Sequence, residues 1–89
     1  MDKSLYSREW VALVEQLRQA RREARLAQVD LARLLDRPQS LVSDIESGQR
    51  RVDIVELRLI CRHLGIPLPE FIARWEERLR QPSPEPEAE

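Results

Sequence analysis

Leu26 to Gly48 reads LAQVDLARLLDRPQSLVSDIESG, and the fold turns on how this stretch divides. Leu31, Ala32 and Leu35 fall at helical spacing, so a short helix is predicted over about Gln28–Leu35. Asp36-Arg37-Pro38 interrupts it, because a proline disfavours the right-handed helical region for the residue before it. Pro38 suits the opening of another helix, where its missing N–H costs nothing. That helix carries Leu41, Val42 and Ile45 as its apolar set and stops near Ser47-Gly48, glycine being the usual left-handed terminator. Two short helices joined by a tight turn are thus written into the middle of the chain.

Upstream, Ser7 can cap a helix running from Arg8 to about Ala24, with Trp10, Leu13, Val14, Leu17 and Ala20 on one buried stripe. Downstream, Asp53 and Glu56 form a capping-box pattern, and Val52 can staple onto Leu57. Leu57, Ile60, Cys61 and Leu64 give that helix its buried side, and Gly65-Ile66-Pro67 ends it. A fifth helix begins at Pro69 with Phe71, Ile72, Trp75 and Leu79 at helical spacing. The first six residues have no period and are expected to fray. Residues 81–89 are expected to form a disordered acidic Pro/Glu tail, leaving 1–80 as one domain.

Composition agrees with an all-α fold. The 89 residues include thirteen Leu but only two Gly, with no Thr and no Asn, which leaves little material for strands and hairpins. No apolar run approaches the ~20 residues of a membrane span, and no secretion signal opens the chain, so a cytoplasmic protein is expected. One Cys and one His exclude a disulfide framework and a zinc knot; no metal and no cofactor are expected. No cluster of His, Cys or carboxylates converges, so the chain is not read as an enzyme. Cys61 and Trp10 are read as core residues, Trp75 as a core residue or equally a dimer contact, and His63 as a favourable charge near a helix C-terminus. The net charge of −1 hides a division: between Arg18 and Arg51 eight Arg face five acids, while the last nine residues hold three Glu and no base. Fourteen of the fifteen bases are Arg, whose donor fork suits phosphate oxygens.

A helix, a three- or four-residue turn and a second helix is the arrangement that sets one helix in a DNA major groove while the other braces it. Here the chain resembles the Cro/C1-type, or XRE, family of helix-turn-helix transcriptional regulators, over roughly Leu17 to Phe71. The resemblance rests on Gln28 opening the second helix, Leu31-Ala32 within it, Gln39-Ser40 opening the third, Val42 and Ile45 inside it, Glu46-Ser47-Gly48 closing it, and Gly65 after the fourth. It implies a compact five-helix, lambda-repressor-like DNA-binding domain with the motif at about 28–47. It implies that Gln39, Ser40, Ser43 and Asp44 face base edges, and that Gln28, Gln49, Arg50 and Arg51 meet the phosphate backbone; the charge of Arg37 adds it to the expected phosphate contacts. Arg21 then stands where a helix-one arginine pairs with the glutamate closing helix three, here Glu46. A Gln39 amide matches adenine N6 and N7, whereas Asp44 is repelled by phosphates unless it accepts from cytosine N4.

Three positions depart from the family pattern. Arg25 and Asp36 stand where glycine is frequent, and Ala27 replaces a Ser, Thr or Asn cap. The expected function is a sequence-specific double-stranded DNA-binding regulator, a repressor, acting as a homodimer on a pseudo-palindromic operator, with the fifth helix and its Phe71, Trp75 and Leu79 as the dimer surface. The alternative is an antitoxin-like module whose acidic tail or fifth helix grips a protein partner.

Overall fold

The helices end by local rules, and those endings set the architecture. The computed structural model describes residues 7–81; the expected fraying segment 1–6 and the acidic tail from 82 onward lie outside the described residues. Within them run α1 (Arg8–Glu23), α2 (Gln28–Leu35), α3 (Gln39–Glu46), α4 (Ile54–Leu64) and α5 (Leu68–Arg80), with no strand among the described residues. Ser7 caps α1 by accepting the Trp10 N–H at 3.1 Å. Asp53 and Glu56 form the reciprocal capping box of α4, at 2.8 and 3.1 Å. At α2 the N-cap is Ala27, without a side-chain bond, but Asp30 accepts the Ala27 N–H at 2.8 Å and supplies half of a box. Pro38 is the N-cap of α3 and not its first residue, so the helix opens at Gln39, and α5 begins one residue before Pro69.

Four successive helices stop in the same way. After α1, α2, α3 and α4 a residue turns left-handed, and the next N–H reaches back to close the last turn: Leu26 to Arg21 O, Arg37 to Ala32 O, Gln49 to Asp44 O, and Ile66 to Cys61 O. Gly48 and Gly65 make two of these turns. Arg25 (φ 63°) and Asp36 (φ 58°) make the other two, so both departures from glycine leave the turn intact and carry its strain instead.

The core gathers Leu17 of α1, Leu31, Ala32 and Leu35 of α2, Val42 and Ile45 of α3, Leu57, Ile60 and Cys61 of α4, and Phe71 of α5. Ala32 is among the most buried of these, at 2% exposed. Cys61 is fully buried, which pushes its thiol up to about 11. Phe71 is also fully buried, and Trp75 and Leu79 are half-covered against α1. Polar ties reinforce that seam: Gln16 Nε2 donates to Phe71 O at 2.8 Å, Trp75 Nε1 to Glu9 O at 3.0 Å, and Arg8 to Leu79 O at 2.9 Å. Of the three residues expected to form a dimer surface on α5, Phe71 is thus spent within the fold, while Trp75 and Leu79 stay half-exposed. Exposed apolar side chains lie on three helices, at Val11 of α1, Val29 and Leu34 of α2, and Ile54, Val55 and Leu59 of α4, with Val55 the most exposed at 74%.

The left-handed turns yield a paired test. Arg25→Gly should raise stability by about 1 kcal/mol, because glycine adopts that conformation without the clash of a Cβ. Gly65→Ala should lower it by about as much, through the backbone alone, since an added Cβ there meets nothing within 4 Å. Urea midpoints read both, with the helical circular dichroism unchanged.

Candidate nucleic-acid interface

The two helices of the motif are joined by Asp36, Arg37 and Pro38, and the turn directs α3 across α2. Val42 and Ile45 point inward, each about 3% exposed. Helical spacing then sends Gln39, Ser40, Ser43 and Asp44 to the opposite side; Gln39, Ser40 and Asp44 are exposed and Ser43 is half-buried. All four residues expected to read bases thus share one outward face. Pro38 offers α3 no side-chain cap, so first-turn amides sit beside Gln39 and Ser40, as an anion-binding helix end requires.

Behind that face lies Glu46, the last residue of α3. Arg21 Nε donates to its Oε2 at 2.6 Å and Arg21 Nη2 to its Oε1 at 2.9 Å, a two-pronged pair in which both side chains are more than nine-tenths buried. The third Arg21 nitrogen donates to Leu26 O at 2.6 Å. Gln28 Nε2 donates to Glu46 Oε1 at 3.0 Å, and Arg18 reaches the backbone carbonyl of Glu46. Burial works to raise the Glu46 carboxyl, but the bonds from Arg21 and Gln28 and the nearby Arg21 and Arg18 charges outweigh it and hold it below the usual carboxylate range. Bonding to Glu46 raises Arg21 correspondingly. The expected Arg21–Glu46 pair is present.

The residues expected to meet phosphates are placed unevenly. Arg37 and Gln49 are exposed beside the outward face. Gln28 gives its amide to Glu46, which fixes its direction. Arg50 grips Glu56 of the α4 capping box with both terminal nitrogens, at 3.1 and 2.8 Å, and that bonding lowers the Glu56 carboxyl and raises Arg50. The Arg51 guanidinium lies over the Trp10 ring, 4.7 Å from its centroid. Asp44, Asp53 and Glu56 all act on Arg50, so the basic flank is interleaved with carboxylates.

Arg18, Trp10 and Glu56 were not singled out from the sequence as parts of this site. Arg18 carried a signal, since it precedes Arg21 by three residues and shares its helix face. Trp10 and Glu56 carried none beyond core and cap, because their partners lie across a loop. Among the described residues no group of His, Cys, Asp and Glu is arranged to hold a metal, and no helix is long and apolar enough to cross a membrane.

A family model described as a helix-turn-helix domain matches residues 12–75. Among solved structures, an XRE-family like protein from Pseudomonas syringae pv. tomato str. DC3000 is 34% identical, with a TM-score of 0.77 over 85% of this chain and 93% of that one. The wild-type restriction-modification controller protein C.Esp1396I shares the fold at 23% identity, with a TM-score of 0.77 over 84% of this chain and 99% of its own. The tetramer of that protein in complex with its natural 35 base-pair operator gives 23% identity and a TM-score of 0.76 over the same shares. No curated protein matches the chain.

Glu46→Gln should destabilise the domain by on the order of 3–5 kcal/mol near neutral pH, because Arg21 is left buried without its counter-charge. A carboxyl held low in the fold stabilises fully above its unfolded value of about 4.3, and that stability is lost as pH falls through the folded value. The gap between wild type and Glu46→Gln should therefore narrow on acidification below that point. A gap independent of pH in denaturation curves would show that the charge of Glu46 is not what matters.

Proposed function

The chain belongs to the XRE family of helix-turn-helix proteins, and on that premise we propose that it binds double-stranded DNA sequence-specifically as a transcriptional regulator, with α3 in the major groove. The observation that carries this reading is the outward face of α3, where Gln39, Ser40, Ser43 and Asp44 stand together while Val42, Ile45 and Glu46 anchor its back. The operator complex of C.Esp1396I supports duplex DNA as the ligand. We assign the base-reading role to the four α3 residues and backbone contacts to Arg37, Gln49 and Arg51. Gln28 and Arg50 contribute by way of Glu46 and Glu56 as well as directly. Repression is the proposed output, because occupancy of the operator is enough to produce it.

The protein acts in this reading as a homodimer on a pseudo-palindrome, since one recognition helix reads too few base pairs and a two-fold pair places a second one ~34 Å away. We assign the second copy to α4, where Ile54, Val55 and Leu59 are exposed, in preference to α5, whose Phe71 is fully buried. Val55→Glu should then yield a monomer by sedimentation, with the helical spectrum kept.

Two DNA measurements test the assignment. Arg37→Ala and Arg51→Ala should each weaken binding evenly across sequences and reduce the log–log salt slope by ~0.9, the share of one phosphate contact. Gln39→Ala should instead cost about 1–3 kcal/mol at the preferred site and relax the choice at one base pair, an adenine. If Gln39→Ala leaves affinity and preference at wild-type values, α3 is not reading bases and the protein-interaction alternative takes over.

A further inference from the structure

Arg50 follows the left-handed glycine that ends α3 by two residues, in a loop whose backbone is closely held. Its N–H and that of Gln49 both donate to the carbonyl of Asp44, at 3.1 and 2.9 Å. Trp10 Nε1 donates to the carbonyl of Gly48 at 3.3 Å. The side chain is held as well, and the five donors of its guanidinium can be followed one by one. Nη1 donates to Glu56 Oε1 at 3.1 Å and to Arg51 O at 2.9 Å, and Nη2 donates to Glu56 Oε2 at 2.8 Å. The carboxylate therefore takes the guanidinium end-on. Nε–H and the second Nη2–H remain, without a partner among the described residues. These two bonds lie parallel along the side of the planar group.

We propose that Glu56 is a positioning residue for DNA backbone contact: it holds Arg50 end-on so that the side-on fork, Nε–H with Nη2–H, is presented to a phosphate. The proposal deepens the DNA-binding reading given above and rests on it. A guanidinium has an end-on and a side-on fork, each matched to a pair of anionic oxygens. Filling the first with a fixed carboxylate removes rotamer freedom that the arginine would otherwise surrender at a phosphate. Glu56 is itself fixed, because the same Oε1 accepts the Asp53 N–H at 3.1 Å in the α4 capping box. It is also kept charged: the bond from Arg50, with the Asp53 N–H and the charges of Arg50 and Arg37, outweighs burial. Arg37, from the turn of the motif, lines one small cleft with Glu56, so two arginines of the proposed interface flank this carboxylate. At a distance the Arg50–Glu56 pair cancels its own charge. At contact it offers a fork already set.

The test is a double-mutant cycle in the full chain, with affinity for a mixed-sequence DNA duplex as the readout. Glu56→Gln keeps the capping-box acceptor, since glutamine also serves at that position, but it loses the charge and one of the two oxygens. It should weaken binding about 2- to 10-fold, the ordering cost of one arginine side chain, and should leave base preference unchanged. Arg50→Ala should weaken binding about tenfold or more, as loss of a charge-assisted bond does. In the Arg50→Ala background, Glu56→Gln should cost nothing further, because Glu56 acts through Arg50. An equal loss in both backgrounds, or no loss in either, would overturn the proposal. Tighter binding by Glu56→Gln alone would overturn it too, by making the carboxylate a rival of the phosphate. Where Glu56→Gln loses its cooperative urea transition, Arg50→Lys serves: it keeps a charge beside Glu56 but has no second fork. It should bind as weakly as Arg50→Ala, and wild-type affinity in it would overturn the proposal. In the absence of DNA, slow rotation of the gripped guanidinium should split the Arg50 Nη resonances, and Glu56→Gln should merge them. Merged resonances in the wild type would also overturn the proposal. A wild type with split resonances but no duplex affinity would instead overturn the DNA reading and the role built on it.

Discussion

The carboxylate of Glu46 is the point on which three helices agree. It ends α3, takes the fork of Arg21 from α1, and receives the amide of Gln28 from the start of α2. Apolar contacts such as those of Val42, Ile45 and Leu31 hold helices together without dictating their angle, because burial has no direction. The paired fork does have direction, and it fixes how far α3 is rotated and how it leans on α1. A buried ion pair adds little net stability over a well-packed apolar pair, since desolvation offsets most of the attraction. Its contribution here is placement. The outward face of α3 takes its position from this carboxylate together with the buried Val42 and Ile45.

Much of the fold was legible because its decisive signals are local. The apolar triplet Leu31, Ala32 and Leu35 gives α2 its bounds, and Asp53 with Glu56 gives the start of α4, both within one helical turn. The Arg21–Glu46 pair was legible through family resemblance, not through spacing. The rest lay across loops. Arg50 binds a glutamate six residues away on the next helix, and Trp10 bonds a carbonyl thirty-eight residues away, contacts to which periodicity is blind. The fifth helix shows a different limit: Phe71, Trp75 and Leu79 mark an apolar side, but nothing in that pattern says whether α1 or a second chain covers it.

Charge along the interface is regulated by its own neighbours. Arg50 answers to Glu56, Asp53 and Asp44, and Arg51 is drawn to an aromatic face. A surface of this kind attracts anions less indiscriminately than a bare row of arginines, since Arg50 and Arg51 already have partners within the fold. On the proposed DNA-binding reading, weak background attraction leaves discrimination to the polar face of α3, where Asp44 penalises a badly matched approach.

The repeated ending of the first four helices has a kinetic consequence. Each stop closes within six residues, from Arg21 to Leu26 in the first case and from Cys61 to Ile66 in the last. Helix lengths can thus be set before distant parts of the chain meet, and the early search is confined to docking short rods of known length. Chains dominated by such short-range contacts fold in microseconds to milliseconds. A small domain built on such contacts is expected to present its apolar residues to other chains only briefly, which limits its exposure to aggregation each time it unfolds and recovers.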